Sequence, residues 1–309
     1  MVKDNANLLP TLAVLGAVVL WGSSFSAMKS VLDVLDPMAA MWCRMAVAVA
    51  VLAALRRQIS FSGYRKGDWL RLGFMALCLP CLYFLLEANA LTLTTSAQAG
   101  VVSASLPLMV ALGGWAMLGE RMRPRAAAGL VLAIGSVAWL TLASAPQQSA
   151  ANPLLGNLLE AGAMVCSAGY MLYARSLSTR YSPLTLTAVQ MFAGFLFFTP
   201  GAFRLELPEA NLAATAMKLL YLGSFVSLGA FGLFNYGVSR IPAGRASAFI
   251  NMVPVVAVAL GWGLLGEALN PVQCLAACGV LLGVCLSQER GENPAEDSEE
   301  APERVKGEA

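Results

Sequence analysis

The chain contains no histidine. One absence thus removes the commonest general base, proton relay and transition-metal ligand. Charge is scarce too: 12% of the 309 residues are Asp, Glu, Lys or Arg, against about 25% in a soluble domain. Too few polar side chains exist to cover a water-facing surface. The formal net charge is only +2, so nothing points to nucleic acid as a partner. No Gly-x-x-x-x-Gly-Lys-Ser/Thr run is present, which excludes a self-contained ATP-driven pump. The seven cysteines, at 43, 78, 81, 166, 274, 278 and 285, lie in apolar runs and not in polar loops. That setting argues against a disulfide framework, and Cys78-Leu79-Pro80-Cys81, despite its redox-motif spacing, reads as buried packing. No residue set reads as catalytic or metal-binding, and no cofactor is expected.

What remains is 58% hydrophobic. A membrane-spanning helix needs about 20 mostly apolar residues. Ten such runs can be read, at about 10–29, 37–55, 69–91, 96–118, 125–144, 156–175, 183–203, 215–238, 246–265 and 271–287. The expected fold class is an all-α membrane protein of ten transmembrane helices. The charged, Pro/Gly-punctuated tail from 289 to 309 has no apolar periodicity and reads as disordered and cytoplasmic. With the N-terminus inside, the short loops and ends place 15 Lys and Arg on the inner side and only Lys29, Arg204 and Lys218 outside. The positive-inside rule therefore predicts both termini in the cytoplasm, and the expected location is a bacterial inner membrane.

The sequence matches itself at a constant offset. Pro107, Gly114, Trp115, Leu118, Gly119, Glu120 and Pro124 recur as Pro254, Gly261, Trp262, Leu265, Gly266, Glu267 and Pro271, each pair 147 apart. Lys29 and Pro37 match Arg175 and Pro183 at an offset of 146. Two five-helix units follow, 1–145 and 150–288. An odd helix count forces the second unit to enter the membrane upside down. The first run could be read as a cleaved signal peptide, but its internal counterpart argues that it belongs to the fold. Inverted repeats suit transporters, because two halves that exchange roles can open one midplane site to either side.

Several of these residues resemble the EamA-like family of the drug/metabolite transporters. The resemblance is carried by Trp21-Gly22-Ser23-Ser24-Phe25, by Arg44, and by the segments Leu106-Pro107 to Gly119-Glu120 and Val253-Pro254 to Gly266-Glu267, each followed by a Gly-containing run (Gly129 and Gly135; Gly279 and Gly283). It covers about residues 10–287. The second half departs from the pattern, having Ser167-Ala168 where the first has its Trp-Gly pair. The resemblance implies ten helices around a central cavity and a secondary transporter, exporter or exchanger, of a small metabolite such as an amino acid or a toxic, drug-like compound. The alternatives from other classes are an intramembrane lipid-modifying enzyme and a receptor or scaffold. The expected partners are a small-molecule substrate and membrane lipid, with self-association left open.

Candidate site residues fall into four groups. Polar and aromatic residues at mid-depth, Trp21, Ser24, Tyr83, Gln98, Ser103, Tyr170, Tyr173, Asn235 and Asn251, could line a mostly apolar pocket or glue helices together. Arg44, Glu87 and Glu160 are intramembrane ionisable groups, which are costly and usually face the interior or a water-filled cavity. Arg44 lies about 10 Å from the outer end of its run and could pair with Glu87 or Glu160 at a gate, hold a substrate carboxylate, or be tied to Asp33 or Asp36. Pro107 and Pro254 break backbone hydrogen bonds and are candidate hinges. Glu120 and Glu267 end their helices, where a carboxylate is unfavourable, and read as structural caps on the helix that follows.

Overall fold

The computed structural model describes residues 5–118, 124–145, 150–206, 211–238, 240 and 249–287. The described chain is all-helical. In order it forms α1 (Asn5–Leu32), α2 (Pro37–Ala54), α3 (Asp68–Leu93), α4 (Ser96–Ala116), α5 (Pro124–Leu142), α6 (Pro153–Leu177), α7 (Pro183–Phe197), α8 (212–238), α9 (Val253–Leu265) and α10 (Pro271–Ser287). Six described helices are long and apolar enough to cross a membrane, in α1, α2, α3, α4, α5 and α8, while α7, α9 and α10 are apolar but shorter. The tail lies outside the described residues.

Helix starts are written in the sequence. Asp36, Asn152 and Ser182 each precede a proline and cap α2, α6 and α7 through their side chains. Proline at the first helical position loses no hydrogen bond, and the short polar side chain satisfies free N–H groups. At α10 the cap is reciprocal: Asn270 accepts from the Gln273 N–H at 2.8 Å and Gln273 accepts from the Asn270 N–H at 2.9 Å.

Three helices are interrupted. In α3 the Leu77–Leu82 turn is widened, with a cis Leu79–Pro80 bond. The Leu79 carbonyl is satisfied by Gln190 Nε2 of α7 at 2.9 Å. α8 widens likewise over Tyr221–Gly229. In α4 the helix pauses at Ala104-Ser105 and resumes at Leu106, so Pro107 is the second residue of a new segment. Before α9 the same pause falls at Asn251-Met252, and Pro254 is again the second residue. The two pauses are 147 residues apart, so the repeated prolines begin helical segments where a missing N–H costs little.

Packing has an internal regularity. α5 lies on α10, α4 on α9 and α2 on α7. α3 packs on α6 as α8 packs on α1, α1 on α9 as α6 on α4, and α2 on α8 as α7 on α3. Exchanging α1–α5 with α6–α10 maps each of these pairings onto another. The match reaches single residues: Gly156 of α6 lies against the Ala90 carbonyl of α3, and Gly237 of α8 against the Pro10 carbonyl of α1. Positions 10 and 156 are 146 apart, and 90 and 237 are 147 apart. The α5–α10 seam is built on small residues. A Cβ at Gly283 would meet the Gly129 carbonyl at 2.6 Å, and one at Gly279 would meet Ser136 Oγ. Backbones this close gain van der Waals contact without needing a hydrophobic drive, as suits lipid. The repeated Trp115 and Trp262 face outward, 54% and 69% exposed. There they fit lipid contact or the interfacial belt where indole rings collect.

Candidate substrate and gating site

Arg44 of α2 is buried, 4% exposed. Its Nε donates to Ser227 Oγ of α8 at 3.1 Å, and its guanidinium carbon lies 4.3 Å from the centre of the Phe84 ring. Ser227 in turn donates to the Leu222 carbonyl within the widened turn of α8. Phe84 sits on α3, one helical turn from Glu87. Tyr83, on the same segment, donates its hydroxyl to Glu87 Oε1 at 2.7 Å, the i,i+4 pairing that helical spacing permits. The Arg44 and Glu87 charges bear on each other, with no ion pair within 4 Å between them among the described residues. Asp36, one alternative partner for Arg44, is spent on the α2 cap.

Glu160 of α6 completes the group. It is 0% exposed, and neither carboxyl oxygen has a hydrogen-bond partner among the described residues. The charged group that bears on it is Glu87, and Tyr83 feels both acids. A buried polar atom without a partner costs on the order of 1–3 kcal/mol and calls for an explanation. Four elements thus bring one cation, two carboxyls, a phenol and a serine together in the membrane interior. Gate candidates Arg44, Glu87 and Glu160 and cavity candidate Tyr83 meet here. No group of three or more His, Cys, Asp or Glu able to hold a metal occurs among the described residues.

A second polar assembly closes the end of the bundle where α3 and α9 finish and α4, α6 and α10 begin. Gln98 is 1% exposed, and its Oε1 draws in Thr94, Ser144 and Asn157 at 3.3, 2.8 and 3.1 Å. Asn157 also donates to Thr141, and Gln273 donates to Ser144. Lys29 of α1 donates to the Leu91 and Thr94 carbonyls at the end of α3. The carboxylate of Glu267 accepts from the Ser96 and Ala97 N–H groups and from Ser96 Oγ, at 3.0, 3.0 and 2.7 Å. Glu267 therefore caps α4, from the other half of the chain, and not α10, which has its own reciprocal cap. A carboxylate meets the positive end of the α4 dipole this way. A cleft of about 220 Å³ opens here, lined by Lys29, Asp33, Thr92, Glu267 and neighbouring leucines. Glu120 lies outside the described residues.

The other candidates are dispersed. Trp21 packs on Phe231 and Phe234 of α8, ring centres 5.6 and 5.2 Å away. Ser24 and Ser103 donate to carbonyls of their own helices, Trp21 and Gly100. Tyr170 and Tyr173 pack at the opposite end, against the cluster of Leu72, Met75, Leu177 and Tyr181. Asn251 is half-buried at the pause before α9. The side chain of Asn235 lies outside the described residues. Reading the sequence missed Ser227, Asn157 and the Asp68–Arg180–Tyr181 knot. Asp68 accepts from Arg180 Nη2 at 2.8 Å and from Tyr181 at 2.9 Å, and it also pairs with Arg180 Nη1. That bond holds the Arg180 guanidinium above its usual range. An unmatched Asp at the start of an apolar run was the available signal.

A model of the EamA-like transporter family matches this chain twice, over residues 8–142 and 154–288. The uncharacterised transporter YcxC of Bacillus subtilis is 27% identical over 92% of this chain and 94% of its own. A second from that organism, YetK, is 28% identical over 65% of this chain and 62% of its own. A protein of Streptantibioticus cattleyicolor named "Probable terminal-alkyne amino-acid exporter" is 27% identical over 88% of this chain and 91% of its own. One solved chain shares the fold, with a TM-score of 0.60 at 21% identity, over 90% of this chain and 96% of that one. With both halves matched and its helices apolar enough to span a bilayer, the chain belongs to the EamA-like transporter family.

Proposed function

We propose that this protein is a secondary transporter that moves a small zwitterionic metabolite, of the amino-acid class, across the bacterial inner membrane by alternating access. The observation that carries the reading is the buried group of Arg44, Tyr83, Glu87 and Glu160. A guanidinium with one protein hydrogen bond can take a substrate carboxylate. A carboxyl with no bond at all can take an ammonium. Spaced charges of opposite sign match a zwitterion and reject a neutral isostere, whose binding would leave both ends unpaired. The name of the Streptantibioticus relative points to the same substrate class.

Alternating access rests on the two halves. The pairings that survive exchange of α1–α5 with α6–α10, the two pauses 147 apart and the double family match support two inverted five-helix repeats and ten crossings, and the excess of Lys and Arg in alternate loops supports cytoplasmic termini. In that frame the Lys29–Gln98–Glu267 assembly is an outer closure, and Pro107 and Pro254 flank the flexing points. Counterflow of labelled amino acids into proteoliposomes tests the reading. The wild type should exchange at least one zwitterionic amino acid, and Arg44→Gln should reduce that exchange by about 30-fold, the lower range for truncating a buried charge partner. No exchange of any amino acid by the wild type, or full exchange by Arg44→Gln, would overturn it.

A further inference from the structure

At the far end of the bundle from the Lys29–Glu267 assembly, the start of α3 and the end of α6 enclose a cleft of about 390 Å³. It is lined by Arg65, Lys66, Gly67, Asp68, Arg71, Ser176 and Arg180. Asp68 is its one acid, and it is spent on Arg180 and Tyr181. Arg65, Lys66 and Arg71 are exposed, and no described carboxylate lies within 4 Å of their charged nitrogens, Asp68 accepting only the backbone N–H of Arg65 at 2.9 Å. Three uncompensated cations thus converge on one concave site, where loop cations could instead have spread over the surface.

The surface beside the cleft is apolar. One turn along α3 from Arg71 stands Phe74, 42% exposed, and beyond it Leu77, 43% exposed. One turn back along α6 from Ser176 stands Tyr173, whose ring centre lies 4.6 Å from that of Phe74. A ring pair therefore stands one turn beyond the lining of the cleft, and the exposed apolar face of α3 continues from it. With 26 residues α3 is about 39 Å long, against about 30 Å of hydrocarbon core. Its charges gather at its start, in Arg65, Lys66, Asp68 and Arg71, and charge is costly in hydrocarbon, so this end is the one placed at headgroup level. A free anion would need the cations alone. The apolar strip beside them suits a ligand that carries a chain.

We propose that this cleft binds the phosphodiester headgroup of an anionic membrane phospholipid, with an acyl chain lying along α3 over Phe74 and Leu77. Basic pockets between helices at the bilayer surface recognise such headgroups by charge and by bidentate guanidinium–phosphate bonds. The proposal concerns a different end of the molecule from the transport site and stands or falls separately from it.

Native mass spectrometry of the full, delipidated protein tests it, with phosphatidylglycerol and phosphatidylcholine of identical chains offered together. The wild type should retain phosphatidylglycerol in preference. Arg65→Gln with Arg71→Gln should weaken that retention by roughly 30-fold, the combined effect of two surface-level cations. Arg56→Gln with Arg57→Gln, which removes the same charge from exposed positions outside the cleft, should leave it unchanged. Phe74→Ala should also weaken retention, because the chain loses its floor. Equal retention of the two lipids overturns the proposal, as does equal loss in both double variants. Displacement of phosphatidylglycerol by millimolar inorganic phosphate, with Phe74→Ala indistinguishable from wild type, would assign the cleft to a free anion and overturn it as well.

Discussion

The two polar assemblies of this protein are finished to different degrees. At the closed end, Gln98, Asn157, Ser144, Gln273 and Glu267 form a network joining five helices, α4, α5, α6, α9 and α10. Next to it, beginning one turn along α6 from Asn157, Arg44 has one hydrogen bond and Glu160 none. Both lie in the interior, where an unpaired polar group is costly. A satisfied network fixes one arrangement of its helices. An unsatisfied one is tolerated where it serves a ligand or a second conformation. The proposed function assigns the first assembly to holding the bundle and the second to meeting the cargo.

The sharpest way to break this contrast is Glu160→Leu. Removing a buried, unbonded carboxyl should leave the melting temperature unchanged or raised, since apolar replacements of buried charge are often neutral or stabilising. It should cut counterflow by about 100-fold, equivalent to about 2.7 kcal/mol. A destabilised protein with normal flux would reverse the assignment. Gln98→Leu should do the opposite. It strands Asn157, Thr94 and Ser144, so stability should fall by about 2 kcal/mol, with the range of transported solutes unchanged in a counterflow panel. A smaller effect is expected from Glu267→Ala, which frees the Ser96 and Ala97 N–H groups while Thr95 still caps α4, and which should cost about 1 kcal/mol in denaturant or thermal unfolding. Least should come from Trp115→Ala, an exposed residue outside both assemblies, at under about 0.5 kcal/mol.

Much of the fold was legible in the sequence because its signals are local or periodic. Apolar run length marked the helices, and the Asp-Pro, Asn-Pro and Ser-Pro pairs marked the starts of α2, α6 and α7. A constant offset exposed the repeat, and the structure carries that offset into the helix pauses before Pro107 and Pro254. The pairing of side chains was less legible, because it depends on which helices touch. Glu267 reads as a cap for the helix just after it, yet it reaches α4, some 170 positions away in the chain. Gln98 reads as a pocket residue from its depth, but only the fold shows Asn157 and Ser144 waiting for it. Arg44, Glu87 and Glu160 were visible because charge in an apolar run is rare. Ser227 was not, because serine is common in such helices and only the crossing of α2 with α8 brings it to Arg44.

The central claim is that the group around Glu160 faces each side of the membrane in turn. It is tested most directly by placing a single cysteine there, as Glu160→Cys in an otherwise cysteine-free protein in sealed vesicles of known orientation, and labelling with a membrane-impermeant thiol reagent. The account predicts modification from either side when the reagent is applied there, with Thr94→Cys, in the closed end, reactive from that end alone. Modification of the cysteine at 160 from one side only, whichever side the reagent is applied to, would contradict it.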